Sequence, residues 1–178
     1  MRVPSEVVDQ FRQVGRLLWE AGLVSSHGGN LGLRLPDGAI VVTCHGAMLG
    51  RLDEASLVVL GHEEGREPSS DADVHRAILD ATGAGAVAHA HPRHAIALSL
   101  LADSDLEPRD LEGRHYLGKR VPVVAGREHV ADALRDFPIA VVRGHGSYAR
   151  GRDLWEALLY TSVLEESAHV LWLLRVAR

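Results

Sequence analysis

Apolar residues recur along the chain with two spacings, one typical of helices and one typical of strands. Spacings of three and four residues predict five helices, over 5–21, 71–82, 93–101, 128–137 and 153–177. Alternating or short continuous apolar runs predict six strands, over 31–35, 39–43, 57–60, 86–91, 121–124 and 139–143. The stretch 102–118 shows neither spacing, and we expect it to be irregular.

The order of these elements predicts the fold class. Strands alternate with helices, which favours a layered α/β architecture. Pro36-Asp37-Gly38 is a turn signal between the first two strands and predicts a hairpin, so a purely parallel sheet is excluded. We therefore expect a mixed or mostly antiparallel sheet with helices on both faces. A chain of 178 residues is expected to form a single domain.

Composition narrows the function classes. Apolar residues make up 46% of the chain and charged residues 24%, the net charge is -5, and no block of like charges occurs. These values disfavour a nucleic-acid or membrane surface, so a bound anion would need local donors. Cys44 is the only cysteine, and no apolar run is long enough to span a bilayer. The N-terminal residues lack the apolar stretch of a signal peptide, which predicts a cytoplasmic location.

Two histidines, His89 and His91, stand at the end of a predicted buried strand, directly before Pro92. Side chains two residues apart leave a strand on the same face, so both imidazoles can bind one metal ion. His145 lies between two glycines after another apolar run and is a candidate third ligand. Three histidines with an open position are typical of a catalytic zinc site rather than a structural one. Ordinary histidines at strand ends remain the alternative interpretation.

Three turns of small residues are candidate phosphate sites. They are Gly28-Gly29-Asn30, residues 43–46 (Thr43-Cys44-His45-Gly46), and Ser69-Ser70 at a predicted helix start. Glycines let an anion approach backbone N–H groups, and a helix N-terminus adds free donors and a favourable dipole. Each turn alone is a weak signal, because a serine pair before a helix is often only a cap. Together they predict a small phosphorylated ligand that also contacts the metal.

Asp71 follows the serine pair in the first turn of a predicted helix. A carboxylate is common there for dipole reasons alone, and the functional alternative is a general base and acid beside the metal. His75 lies four residues later on the same helix face and is interpreted as structural, whereas His94 is a candidate neighbour of the metal ligands. The remaining candidates are interpreted as surface or packing histidines: His62, His115, His129 and His169.

The order and spacing of these motifs resemble the class II aldolase/adducin family over about residues 8 to 170. The matching stretches are Gly28-Gly29-Asn30 with Arg34, Thr43 to Gly46, Pro68-Ser69-Ser70, Ala88-His89-Ala90-His91-Pro92, and Gly144-His145-Gly146 with Gly151. The resemblance implies a three-layer α/β/α fold with a mostly antiparallel central sheet, as one class II aldolase/adducin-type domain over 1–178. It also implies a homotetramer with active sites between subunits.

The resemblance also implies roles for individual residues. One Zn2+ per subunit would be held by His89, His91 and His145. Asp71 would be the catalytic acid/base and would also ligate the metal when substrate is absent. Tyr116 would be a second catalytic residue, reaching the site from a neighbouring subunit. Phosphate contacts would fall on Gly29, Asn30, His45, Gly46, Ser69 and Ser70.

The reaction that the resemblance implies is reversible cleavage of a ketose 1-phosphate, such as L-fuculose 1-phosphate. The products would be dihydroxyacetone phosphate and a short aldehyde such as L-lactaldehyde. Alternatives are a pentulose-phosphate 4-epimerase, a sugar-phosphate dehydratase, and a non-catalytic adducin-like module. The chain departs from the family pattern at three positions. Asp71 stands in place of Glu, Gly32 in place of Ser, and His27 in place of a small hydroxyl residue.

Overall fold

The structure is a computed structural model that describes residues 3–101 and 103–177. Within these residues it has a seven-stranded sheet and six α-helices. The strands are β1 (Asn30–Arg34), β2 (Ile40–Thr43), β3 (Leu57–Val59), β4 (Ala86–Ala90), β5 (Val123–Val124), β6 (Ile139–Val142) and β7 (Gly146–Gly151). The helices are α1 (Ser5–Glu20), α2 (Ala72–Thr82), α3 (Arg93–Leu101), α4 (Leu111–Tyr116), α5 (Val130–Asp136) and α6 (Leu154–Val176).

The sheet separates two hydrophobic cores, as alternating side chains on a strand require. On β4, Ala86 and Ala88 face the core that contains α1, α3 and α6, whereas Val87 between them faces the core that contains α2 and α5. The same alternation on β6 places Val141 in the first core and Ala140 in the second. The α/β class and the helices on both faces are therefore confirmed.

The strand order is β3-β2-β1-β4-β7-β6-β5. In the described residues five strand pairs are antiparallel, and one, β5 with β6, is parallel. The expectation of a mostly antiparallel sheet is thus corrected to a mixed sheet. The physical reason is the connection from β5 to β6, which passes through α5 and returns the chain in the same direction.

Two elements differ from the sequence prediction. The stretch 102–118 contains the helix α4, which begins after Asp110, whose carboxylate accepts a hydrogen bond from the Gly113 N–H. The residues after His145 form β7, a strand that we predicted as a loop. The β7 sequence has no apolar run, but the strand pairs with β4 on one side and β6 on the other. Two ladders of backbone hydrogen bonds therefore stabilise a segment of weak strand propensity.

The candidate site lies at one end of the inner strands β1, β4 and β7. Asn30 at the start of β1 lies opposite His89 near the end of β4, and His89 lies opposite Tyr148 near the start of β7. Strands that alternate in direction bring the end of one beside the start of the next.

No helix within 3–101 and 103–177 has both the length and the apolar character that crossing a membrane demands.

Candidate metal centre and its cleft

His89 is held rigidly at the end of β4. Its side chain is 2% exposed, and its ring stacks on Tyr148 with centroids 4.2 Å apart. Its Nδ1 lies 3.0 Å from the Ser147 carbonyl oxygen. Because a carbonyl only accepts, Nδ1 carries the proton and Nε2 keeps its lone pair. This second contact fixes the imidazole in the tautomer that a metal ligand needs.

The other two histidines converge on His89. The Nε2 atoms of His91 and His89 lie 3.1 Å apart. Potential ligand atoms of His89, His91 and His145 all lie within 4.8 Å of one another. Zinc ligands at about 2.0–2.1 Å from the ion in a tetrahedron lie roughly 3.3 Å from each other, so the spacing fits a shared ion. The three histidines therefore form a set of donors suited to a divalent metal.

The electrostatics of the triad favour the neutral imidazoles that bind metals. Burial, together with neighbouring His91, lowers the pKa of His89 to about 3 despite the opposing effect of Asp71. Burial and His145 also lower the pKa of His91. At neutral pH both rings are therefore uncharged, and their lone pairs are available.

Two glycines make room for the triad. A Cβ at Gly146 would lie 2.4 Å from the Ala90 carbonyl oxygen and 2.8 Å from the His91 ring. A Cβ at Gly28 would lie 2.8 Å from His91 Nδ1. Gly28, which the sequence analysis placed in a phosphate turn, thus also leaves space for a metal-site histidine.

The triad opens into a cleft of about 350 Å3. All three candidate phosphate turns lie on its wall, as do Asp71 and Arg127. Gly29 has φ +78°, and a Cβ there would lie 2.7 Å from the His89 carbonyl oxygen, so the turn requires glycine. His45, Gly46 and Ser70 are exposed in the cleft, whereas Ser69 is buried. The structure therefore brings every predicted phosphate residue to the predicted metal ligands.

Asn30 and Ser69 make contacts that the sequence analysis did not anticipate. The Asn30 side chain donates from Nδ2 to Asp71 Oδ2 over 2.9 Å, and its Oδ1 contacts His75 Nε2. Ser69 Oγ accepts a hydrogen bond of 3.2 Å from the Asp71 N–H. Both side chains are therefore engaged in holding Asp71.

Asp71 lies at the start of α2 and is 5% exposed. Its Oδ2 lies 3.9 Å from His89 Nε2, and its Oδ1 accepts a hydrogen bond of 3.0 Å from Arg127. Burial acts to raise the pKa of Asp71, but the hydrogen bond from Asn30 and the nearby imidazoles outweigh it and hold this pKa below its usual value. The carboxylate is thus ionised beside the triad, although it is not part of the converging ligand group.

Sequence reasoning missed Arg127 and Tyr148. Arg127 follows β5 and is the only arginine or lysine among the described residues that line the cleft. Tyr148 is fully buried against His89, and its hydroxyl lies close to the Asp71 carboxylate. Burial and the nearby Asp71 carboxylate raise the pKa of Tyr148, so its hydroxyl stays protonated. Tyr148 lies three residues after His145, and this closeness in sequence to a predicted metal ligand was the signal that could have identified it.

Two predicted neighbours of the site lie elsewhere in this single chain. Tyr116, at the end of α4, is 38% exposed and does not line the cleft. His94 pairs through Nδ1 with Glu165 at 2.8 Å and stacks on His169, so it does not orient the triad. His75 is fully buried, as its structural interpretation requires.

Comparisons with known proteins agree with this geometry. The chain is similar to the solved structure of L-fuculose-1-phosphate aldolase from Thermus thermophilus, with 38% identity, a TM-score of 0.87, and coverage of 97% of this chain and 96% of that one. It is 31% identical to 3-oxo-tetronate 4-phosphate decarboxylase from Haemophilus influenzae, covering 92% of this chain and 85% of the relative. It is 27% identical to methylthioribulose-1-phosphate dehydratase from Gluconobacter oxydans, covering 88% and 86%.

These names are those of an aldolase, a decarboxylase and a dehydratase, all of them lyases. Class II aldolases are metal-dependent, which agrees with the converging group of His89, His91 and His145. The family profile described as class II aldolase and adducin N-terminal domain matches residues 9–172. The chain therefore belongs to the class II aldolase and adducin N-terminal domain family.

Proposed function

We propose that the protein is a zinc-dependent aldolase that reversibly cleaves a ketose 1-phosphate, such as L-fuculose 1-phosphate. The products are dihydroxyacetone phosphate and a short aldehyde such as L-lactaldehyde. The observation that carries the proposal is the convergence of three histidines and an ionised, buried Asp71 in one cleft that is also lined by the three candidate phosphate turns. The 38% identity to an L-fuculose-1-phosphate aldolase structure supports this choice among lyases.

In this proposal one zinc ion per subunit is held by His89, His91 and His145. When bound, it supplies Lewis acidity that stabilises negative charge on the ketone and hydroxyl oxygens of the substrate. The contact between His89 Nδ1 and the Ser147 carbonyl keeps the Nε2 lone pair directed to the ion. Asp71 is an additional ligand when no substrate is present, since its Oδ2 lies 3.9 Å from His89 Nε2.

Asp71 adds or removes the proton at the carbon of dihydroxyacetone phosphate that takes part in the C–C bond being cleaved. It is suited to this because it is ionised, buried and held on both oxygens. Tyr116 exchanges a proton with the aldehyde oxygen. Because Tyr116 does not line the cleft of its own chain, the tyrosine that does so comes from a neighbouring subunit. The chain thus acts as one domain within a homotetramer whose active sites lie between subunits.

The phosphate is held by the three turns that line the cleft. Gly29, His45 and Gly46 line it from the β1 and β2 side, and Ser70 lines it from the start of α2. Asn30 and Ser69, whose side chains also contact Asp71, complete the set. Binding energy at this remote end positions the reacting carbons and so lowers the barrier at the metal.

Decarboxylation of a phosphorylated 3-oxo acid is the second candidate. It is favoured by the 31% identity to a 3-oxo-tetronate 4-phosphate decarboxylase and by Arg127, the one cleft cation within the described residues. The same three histidines, Asp71 and phosphate turns would also serve a dehydratase or a 4-epimerase. A non-catalytic adducin-like module is disfavoured, because such a module does not need three converging histidines beside a buried carboxylate.

The deciding experiment is a panel of substrates with metal-loaded protein. L-fuculose 1-phosphate is followed by release of dihydroxyacetone phosphate, 3-oxo-tetronate 4-phosphate by release of carbon dioxide, and methylthioribulose 1-phosphate by loss of water. We expect the highest kcat/KM with the ketose 1-phosphate, and loss of that activity on chelation. Higher kcat/KM for the 3-oxo acid would replace the proposal with the decarboxylase.

A further inference from the structure

A chain of two buried side chains, Asn30 and His75, leads to Asp71. The Asn30 Nδ2 group lies 2.9 Å from Asp71 Oδ2, the carboxylate oxygen nearest to His89. On the other side, Asn30 Oδ1 contacts Nε2 of His75. His75 is fully buried on the inner face of α2, so solvent does not compete for either contact.

The direction of each hydrogen bond follows from the carboxylate. The Asn30 amide turns its NH2 group toward the carboxylate, since Nδ2 lies against Asp71 Oδ2. The amide oxygen then faces His75, which must donate from Nε2. His75 is thereby the tautomer with a bare Nδ1, and that nitrogen has no hydrogen-bond partner within the described residues. Without the His75 donor, the buried amide oxygen would lose its partner, and the Asn30 side chain would be free to adopt a rotamer that moves Nδ2 away from Asp71 Oδ2.

Gly32 provides the space that His75 occupies. A Cβ at Gly32 would lie 2.7 Å from His75 Nδ1 and 3.0 Å from Cγ, which is closer than carbon atoms pack. The conflict would be with a ring that is enclosed on all sides, not with the end of a flexible chain. Any larger residue at position 32 would therefore push the imidazole away from Asn30.

We propose that His75 and Asn30 are positioning residues that hold Asp71 for proton transfer, and that Gly32 is the small residue they require. The inference rests on the proposed function, in which Asp71 moves the proton. His75 touches neither substrate nor metal in this assignment. It acts only by fixing the orientation of the Asn30 amide, and therefore the place of Asp71 Oδ2.

The test compares His75→Leu, which removes the donor, with His75→Gln, whose amide nitrogen replaces the Nε2 donor. Ile78→Val, a conservative change of another buried residue on the same helix, is the matched control. We expect His75→Leu to lower kcat by about 10- to 100-fold, in line with the cost of misplacement by ~1 Å, with little change in KM. His75→Gln should recover most of kcat, and Ile78→Val should retain it. Equal loss in His75→Leu and His75→Gln, or an equal loss in Ile78→Val, would overturn the proposal.

Crystal structures of the variants give a readout that does not depend on turnover. In His75→Leu the Asn30–Asp71 contact of 2.9 Å should be lost, whereas in His75→Gln it should remain. Gly32→Ala is the second route if His75→Leu does not fold, and it should displace the ring and break the same contact. An unchanged Asn30–Asp71 contact in His75→Leu or in Gly32→Ala overturns the positioning role. Absence of turnover by the wild type on ketose phosphates would instead overturn the proposed function, and the structures would still decide this inference.

Discussion

The Nε2 atoms of His89 and His91 lie 3.1 Å apart, although no proton need lie between them. Neutral imidazoles with both lone pairs pointing inward repel each other unless a cation or proton lies between them. Burial and neighbouring imidazoles lower the pKa of His89 to about 3, so at neutral pH its Nε2 keeps a lone pair that accepts either the Nε2–H of a neutral His91 or a cation. A divalent ion is the group that this pair of nitrogens suits best.

The first prediction is therefore metal binding by His89, His91 and His145. Alanine at any one of them should remove most bound metal, because two imidazoles leave a weak site in which water must fill the missing position. Metal content of untreated protein by mass spectrometry is the measurement. His169→Ala, which removes a histidine that stacks on His94 instead, is the control and should keep its metal. Full occupancy in His145→Ala would show that the third ligand is misassigned.

The second prediction concerns the phosphate. Ser70 is exposed in the cleft, while Gly29 cannot be replaced without a Cβ 2.7 Å from a backbone oxygen, so Ser70→Ala is the cleaner probe. A hydrogen bond to a charged group is worth about 1.5–3 kcal/mol, so KM for a ketose 1-phosphate should rise about 10-fold or more. The unphosphorylated ketose is the matched control substrate. If Ser70→Ala weakened both substrates equally, the serine would not contact phosphate.

Sequence alone predicted the parts of this site that depend on strand periodicity and turn chemistry. His89 and His91 could be placed on one face because side chains alternate along a strand, and the glycine turns could be placed at strand ends. Arg127 could not, because its contact with Asp71 joins elements 56 positions apart in the chain. Tyr148 could not either, because β7 is a strand only through pairing with β4 and β6. The order of the sheet, which sequence patterns do not encode, brings both residues to the site.

The third prediction is a pH dependence of stability that arises from His75. Burial lowers the pKa of His75 from 6.5 to about 4, against the opposing effect of Asp71. Between these values the unfolded chain binds a proton on His75 that the folded chain does not, so stability falls as pH falls from about 6.5 to 4. With 1.36 kcal/mol per pH unit the contribution is on the order of 3 kcal/mol.

Urea unfolding of wild type and His75→Gln across that range provides the measurement. The variant has no titrating group at position 75, so its free energy of unfolding should fall less steeply with decreasing pH. Both proteins are compared after the same chelator treatment, since metal would add its own pH dependence. Parallel curves would mean that His75 titrates alike in the folded and unfolded states.

The fourth prediction concerns assembly. Tyr116 is partly exposed on α4 and lies outside the cleft of its own chain, so a catalytic role requires a neighbouring subunit. Mixing inactive Tyr116→Phe with inactive His91→Ala should restore activity, because some mixed sites combine an intact tyrosine with an intact triad. Trp19→Ala, which removes another exposed aromatic side chain, is the control for general disturbance of the surface and should remain active without mixing. A monomer in sedimentation, or no recovery on mixing, would remove Tyr116 from the site.

The last prediction concerns the length of the acid/base side chain. Both oxygens of Asp71 are already paired, Oδ2 with Asn30 at 2.9 Å and Oδ1 with Arg127 at 3.0 Å, in a pocket that leaves the residue 5% exposed. Glutamate is longer by ~1.5 Å, one C–C bond, and cannot keep both contacts from the same backbone position. Since misplacement on the order of 1 Å can cost about 10²-fold, Asp71→Glu should lower kcat by about 10- to 100-fold.

Exchange of the dihydroxyacetone phosphate proton with deuterated solvent, followed by NMR, isolates the step that Asp71 is proposed to perform. Asp71→Ala should lose this exchange and keep its metal, because the three histidines form a ligand set without the carboxylate. Asp71→Asn keeps the size of the side chain and removes the charge, so its exchange should be as slow as that of Asp71→Ala. A faster Asp71→Glu enzyme would mean that aspartate reaches too short a distance for a ketose 1-phosphate, and that the natural substrate places its reacting carbon nearer to α2. Unchanged exchange in Asp71→Ala would show that a different group is the base, and His27, which lines the same cleft, would be the next residue to replace.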